Sequence, residues 1–185
     1  MITWKKIWHF IWEEDSILSW LVDLILAFII VQFIFFPLLG AILASPLPMV
    51  VVESTSMLHE TDFSGFWEKY GSFYENSNIT KEMFSQFSFQ NGFDKGDIMI
   101  IKGQNDYSIG DIIVFKIPQQ STPIIHRIIS KEGGIYSTKG DHNPTQLSYE
   151  KSISKEQIIG KAVGKIPKLG WIKMVFVDFF RQFRL

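Results

Sequence analysis

The chain has no cysteine. That excludes a disulfide framework, a thiol nucleophile and cysteine-ligated zinc, and leaves the redox compartment open. Long basic runs are also missing: 18 Lys and Arg stand against 19 Asp and Glu, a formal charge of −1. Such a balance gives no electrostatic footprint for nucleic acid. Histidine is sparse, with four residues and no His-Glu-x-x-His pattern. His59, His126 and His142 are spaced too irregularly for a metal motif, so neither a metal nor a cofactor is expected. What the chain does have is apolar material. With 46% hydrophobic and 15% aromatic residues in 185, it can build one modest folded domain plus a membrane segment, but not two soluble domains.

Residues 1–16 alternate Trp4, Ile7, Trp8, Phe10, Ile11 and Trp12 with Lys5, Lys6, Glu13, Glu14 and Asp15. This is an amphipathic pattern, suited to a helix along a membrane or simply to a helix end leading into a span, and the second is preferred. Residues 17–45 form the anchor. From Leu24 to Leu43 there are 20 residues without a charge, enough at about 1.5 Å per residue to cross a hydrocarbon core of about 30 Å. Pro46 follows Ala44-Ser45, and the apolar core is too long for a cleaved secretory signal, so the span is expected to be retained. Lys5 and Lys6 precede it, and the next Lys or Arg is Lys69. The N-terminus is therefore expected in the cytoplasm and everything from Pro46 onward outside, in a single-pass protein of the cell membrane.

Directly after the apolar run stands Val50-Val51-Val52-Glu53-Ser54-Thr55-Ser56-Met57. Ser56 is a candidate nucleophile, and a serine hydroxyl needs a base to take its proton. His126, in Pro123-Ile124-Ile125-His126-Arg127, is the best available. Asp141, in Lys139-Gly140-Asp141-His142-Asn143, is the candidate to hold the imidazole, and the Ser56 N–H with the Ser54 hydroxyl are candidate oxyanion donors. On spacing alone these residues read more readily as surface and turn residues than as a catalytic set.

The stretch 58–93 reads as an aromatic insertion with short helices, with Thr80 as a helix cap. Beyond it the spacing predicts strands over 97–102, 111–117, 124–130, 135–139 and 158–166, with Asp97 and Asp111 as turn formers. Residues 46–168 thus make the extracytoplasmic domain, mostly β. Residues 169–185 carry Ile172, Val175, Phe176, Phe179, Phe180 and Phe183 at helical spacing. That is an amphipathic helix, placed at the lipid interface or packed on the β domain.

In its motifs the chain resembles the signal peptidase I family, and within it the archaeal and endoplasmic-reticulum branch. The carriers are Ser54-Thr55-Ser56-Met57, Gly96-Asp97-Ile98, Gly110-Asp111-Ile112-Ile113-Val114-Phe115, His126-Arg127, Lys139-Gly140-Asp141-His142-Asn143 and Gly160-Lys161-Ala162-Val163-Gly164-Lys165-Ile166-Pro167, in the family's order. The resemblance implies a membrane-bound serine endopeptidase with a signal peptidase-like β-fold, which removes signal peptides from exported pre-proteins after small residues. Ser56 would be its nucleophile, His126 its general base and Ser54 an oxyanion donor. Its partners would be signal peptides and the lipid bilayer, with the translocation machinery as a candidate. A second aspartate usually follows the Gly-Asp box six residues on, and here Leu147 stands there. Asp141 acting alone, a Ser-His dyad and an impaired site are then the open alternatives. A catalytically silent, membrane-anchored scaffold that binds signal sequences or a translocation partner is the rival from another class. His59 and His142 are expected to be solvent-exposed turn residues.

Overall fold

The structure is a computed structural model that describes residues 3–118 and 120–182. Met1 and Ile2 of the N-terminal segment, Gln119, and Phe183, Arg184 and Leu185 of the tail lie outside the described residues. Two compact units divide the chain, Met1–Ile42 and Leu43–Leu185.

In the first unit, helix α1 (Trp4–Trp12) leaves Trp4, Trp8 and Trp12 exposed. Ser16 caps the next helix by accepting from the Ser19 N–H, and the Ser19 hydroxyl donates to the Phe10 carbonyl, which joins the two helices. The long helix runs Ile17–Ile42, as α2 (Ile17–Ile30), a π-turn (Val31–Phe35) and α3 (Phe36–Ile42). The widened turn has a local cause. Pro37 offers no N–H and its ring would meet the carbonyl of Phe33, so the ladder is relaxed one turn earlier, where the Phe36 N–H reaches back to the Val31 carbonyl. Its 26 residues include an 18-residue window with a mean hydropathy of 2.6, and it is the one helix among the described residues long and apolar enough to cross a membrane.

The second unit is built on one six-stranded sheet in the order β1-β2-β6-β3-β4-β5, every neighbouring pair antiparallel. The strands are β1 (Met49–Val51), β2 (Ile98–Lys102), β3 (Ile112–Phe115), β4 (Ile124–Glu132), β5 (Ile135–Lys139) and β6 (Ile158–Ile166). The last five correspond to the β-branched runs expected from the sequence. β1 was not foreseen, because Val50 and Val51 continue an apolar run that reads as the end of a membrane segment.

β3 lies inside the sheet with both faces covered. Ile112 and Val114 pack with Val52, Met57, Met99, Ile101 and Ile125 on one side, while Ile113 and Phe115 pack with Tyr107, Ile128, Tyr136 and Ile153 on the other. That is why Ile-Ile-Val-Phe shows no alternation. The insertion forms helices α4 (Phe63–Glu75) and α5 (Lys81–Ser85), capped by the Asp62 and Thr80 side chains. Phe66, Trp67, Tyr74, Ile79 and Phe84 cluster with Ile129 of β4, so the insertion has a core of its own that is continuous with the sheet.

Helix α6 (Gly170–Gln182) closes the described chain. The Gly170 N–H donates to the Gly96 carbonyl, Met174 is buried, and Trp171, Ile172 and Val175 keep exposed apolar surface. One side of the tail helix is therefore held by the β domain.

Candidate active site

Register places the histidine. β4 pairs with β3 so that His126 stands opposite Ile113 and Arg127 opposite Ile112. Successive strand side chains point to opposite faces. His126 accordingly turns its ring toward Phe115, while Arg127 turns toward the rings of Phe84 and Phe87 on the insertion side.

The serine loop leaves β1 through Val52, whose N–H donates to the Asp97 carbonyl and whose carbonyl accepts from Gly96. Ser54 and Thr55 are exposed, and the loop is pinned again at Met57, which is fully buried and accepts the Phe93 N–H on its carbonyl. The Ser56 carbonyl accepts the His142 N–H at 2.8 Å. Held from both sides, the Ser56 hydroxyl lies 2.9 Å from Nε2 of His126. Ser54 Oγ is 3.0 Å from Ser56 Oγ.

Nδ1 of His126 lies 2.5 Å from Oε1 of Glu150, a carboxylate with no exposed side-chain surface. A carboxylate can only accept, so Nδ1 carries the proton and Nε2 is left to accept from the Ser56 hydroxyl. With the Ser56 proton committed to Nε2, Ser54 is the donor between the two hydroxyls. Oε2 of Glu150 accepts the Leu147 N–H at 2.6 Å, which fixes the carboxylate on its 3-10 turn (Ser148–Glu150). The Gln146 amide braces that turn from outside, donating to the Thr138 carbonyl, the Glu150 carbonyl and the Ser137 hydroxyl.

The expectation that Asp141 steadies the histidine is corrected by this geometry. Asp141 is fully buried, but its carboxylate is committed elsewhere. Arg127 forks onto it, Nη2 to Oδ2 at 2.7 Å and Nε to Oδ1 at 3.0 Å, while the Tyr74 hydroxyl donates to Oδ1 at 2.8 Å and His59 Nε2 lies 3.1 Å from Oδ2. Burial alone would raise the Asp141 pKa, yet the Arg127 charge and the hydrogen bonds from His59 and Arg127 hold it far below the usual carboxylate range. The same burial, with the Asp141 charge, pushes the Tyr74 phenol well above its ordinary value. The remaining Arg127 donors go to the carbonyls of Ser88, Gly110 and Phe89, so this buried cation is paired and hydrogen-bonded on every side.

Two histidine expectations also change. His59 is no exposed turn residue: its side chain is 1% exposed and its ring stacks on Phe66 at 3.6 Å. The His142 side chain is a quarter exposed and lies beside the Tyr70 hydroxyl and Glu60. Asp97 and Asp111 do form turns, accepting from the Asp94 and Ser108 N–H groups.

Gly140 is required by space rather than by backbone angle. A β-carbon there would come within 2.7 Å of the Asn143 amide nitrogen, 2.8 Å of His126 Nε2 and 2.9 Å of the Ser56 carbonyl oxygen. Among the described residues no group of acidic and histidine side chains could hold a metal ion.

The arrangement can do acyl-transfer chemistry: a hydroxyl, a base in the right tautomer, and a buried carboxylate to stabilise the imidazolium. Sequence reasoning missed Glu150, His59 and Tyr74. Glu150 was visible as the next acid in the chain after Asp141, three positions beyond Leu147. No motif marks the other two.

No protein-family model matches the chain. It is similar to signal peptidase complex catalytic subunits. The one from Dictyostelium discoideum is 34% identical over 98 residues, covering 47% of this chain and 55% of the relative. That of Leptosphaeria maculans is 32% identical over 104 residues, covering 49% and 60%. That of Candida tropicalis is 32% identical over 102 residues, covering 49% and 61%. These relatives are homologues of the chain, which thus resembles the endoplasmic-reticulum branch of the signal peptidase I family. The chain spans little more than half the length of these curated relatives.

Asp141→Asn is expected to act on the fold. It removes the charge that offsets buried Arg127, so unfolding free energy measured with urea should drop by about 3–5 kcal/mol. Because the Asp141 pKa is depressed on folding, its contribution is full above the ordinary carboxylate value of about 3.9 and is lost as pH falls below it. The variant should show a flatter loss of stability in that acid window than the wild type.

Proposed function

We propose that this protein is a membrane-anchored serine endopeptidase that removes signal peptides from exported pre-proteins, cutting after small residues. The observation that carries the proposal is the unbroken chain from Glu150 through His126 to Ser56. Homology to signal peptidase complex catalytic subunits supports the same reading.

Ser56 attacks the scissile carbonyl as its proton passes to Nε2 of His126, and Glu150 stabilises the resulting imidazolium through Nδ1–H. Negative charge develops on the carbonyl oxygen. The Ser54 hydroxyl, 3.0 Å from Ser56 Oγ, and the Ser56 main-chain N–H are the proposed donors to it. Collapse of the tetrahedral intermediate breaks the C–N bond, and the imidazolium gives its proton to the leaving amine. Water then repeats the sequence on the acyl-enzyme, with His126 again as base. The silent-scaffold alternative rested on Leu147, and Glu150 supplies the carboxylate that Leu147 lacks. Asp141, in this reading, is a structural anchor.

The span Ile17–Ile42 anchors the enzyme by one crossing, with the N-terminus cytoplasmic and the β domain outside; Lys5 and Lys6 ahead of the span favour that orientation. The names of the relatives add assembly in a signal peptidase complex, and signal peptides, lipid and the translocation machinery are its proposed partners.

In detergent, the protein should cleave a pre-protein bearing an Ala-x-Ala site. Ser56→Ala and His126→Ala should each lower kcat by several orders of magnitude, with the double variant little worse than either alone. Glu150→Gln should cost about 10³–10⁴-fold in kcat with the fold intact, since an amide does not secure the tautomer. Undiminished cleavage by Ser56→Ala would sink the assignment.

The topology has a separate test. Protease added to intact cells should digest the β domain and leave a tag at Met1 protected. A digested tag would reverse the orientation.

A further inference from the structure

Lys139 is the buried charged group for which the proposed reaction has no use. It ends β5, opposite Arg127 in the register, and has no exposed surface. Its ammonium has no carboxylate within ion-pair distance among the described residues. Instead Nζ donates to the carbonyls of Gly140 at 3.0 Å and Asp141 at 3.1 Å. Three rings of α4 surround it: Phe73 and Tyr74 at 5.1 Å from their centroids and Tyr70 at 5.5 Å. Positions 70, 73 and 74 share one helix face, so a single element makes the cage.

The two carbonyls that Lys139 holds belong to the segment packed against the catalytic atoms. Gly140 fits under His126 Nε2 and the Ser56 carbonyl with no room for a methyl group. The next N–H along, that of His142, is the one that pins the Ser56 carbonyl. The Asp141 N–H is directed at the Met57 sulfur, in the residue after the nucleophile. Moving the Gly140-Asp141 backbone would therefore move Ser56 relative to His126.

We propose that Lys139 is a positioning residue for the Ser56 peptidase site, and that the aromatic insertion, through the Tyr70, Phe73 and Tyr74 cage, sets the pH above which that positioning fails. The inference rests on the proposed peptidase activity. Protonated Lys139 makes two charge-assisted hydrogen bonds to main-chain carbonyls and gains from the ring faces. As a neutral amine it is a weak donor and loses the ring attraction.

Burial pushes the ammonium down to about 8, against the opposing charges of Asp141 and Glu150 and with a reinforcing push from Arg127. The other ionisable groups facing it are the phenols of α4, and burial with the Asp141 charge carries Tyr74 well out of this range. Arg127 stays charged: burial pulls its pKa down, but Asp141 more than offsets that.

The test uses the full chain in detergent micelles with ¹³Cε-labelled lysine, Lys139→Arg serving to assign the resonance. Cleavage of the Ala-x-Ala pre-protein is followed against pH in parallel. Two results are expected: the Lys139 resonance titrates with a midpoint near that of an alkaline limb, across which kcat/KM falls about tenfold, and the Gly140 and Asp141 amide signals follow the same midpoint. Phe73→Ala, which lets water into the cage without removing a hydrogen bond, should move limb and resonance up together by about one pH unit, toward the ordinary lysine value near 10.4. If the resonance moves and the limb stays, the proposal is overturned. If no pH gives cleavage, the peptidase reading fails on its own. The positioning claim is then decided by the amide signals in the same samples: it stands if they track Lys139 and falls if they ignore it.

Discussion

The carboxylate of Asp141 is where three parts of the domain meet. It takes the Arg127 fork from β4, the Tyr74 hydroxyl from α4 and the His59 ring from the segment after the serine loop. Burying an arginine is costly unless its charge is matched and all its donors are used. That requirement fixes the distances among these parts. Because Arg127 also takes the carbonyls of Ser88, Phe89 and Gly110, the end of the insertion and the turn before β3 are tied to the same point. The candidate reaction centre hangs from this knot on both sides, through the Asp141 N–H on Met57 and the His142 N–H on the Ser56 carbonyl.

This arrangement separates two jobs that a motif reading merges. Asp141 sits in the Lys-Gly-Asp box that invited a catalytic assignment, yet its partners are Arg127, Tyr74 and His59. The acid on His126 comes from a 3-10 turn nine residues further along, held by its own bond to the Leu147 N–H. Leu147 contributes its main-chain N–H to that turn and no side-chain carboxylate. A carboxylate can be re-supplied from a neighbouring turn as long as the histidine Nδ1 finds an acceptor, since the chemistry constrains the atom and not the sequence position.

Much of the scaffold was legible in the residues. The uncharged run and the five β-branched strands announced themselves, because hydrophobic length and strand propensity are local properties. Ser56 and His126, 70 positions apart, were legible as a pair only through motif order. What stayed hidden depends on packing. His59 read as a turn histidine because nothing local reveals that Phe66 would stack on it and Asp141 would face it. The aromatics of 58–93 read as local core, and so they are, but three of them also enclose Lys139, a contact set by how α4 lies on β5. Glu150 went unread because leucine stands at position 147 and nothing local marks an acid three residues later as facing His126.

In the proposed mechanism Glu150 fixes His126 in the tautomer that leaves Nε2 free for Ser56. Proton and nitrogen NMR of ¹⁵N-histidine-labelled protein reads this directly. The wild type should show a strongly downfield proton bonded to Nδ1 of the neutral His126 ring, and Glu150→Gln should abolish that signal in a protein that remains folded. A His126 protonated on Nε2, or a downfield signal untouched by Glu150→Gln, would contradict the account.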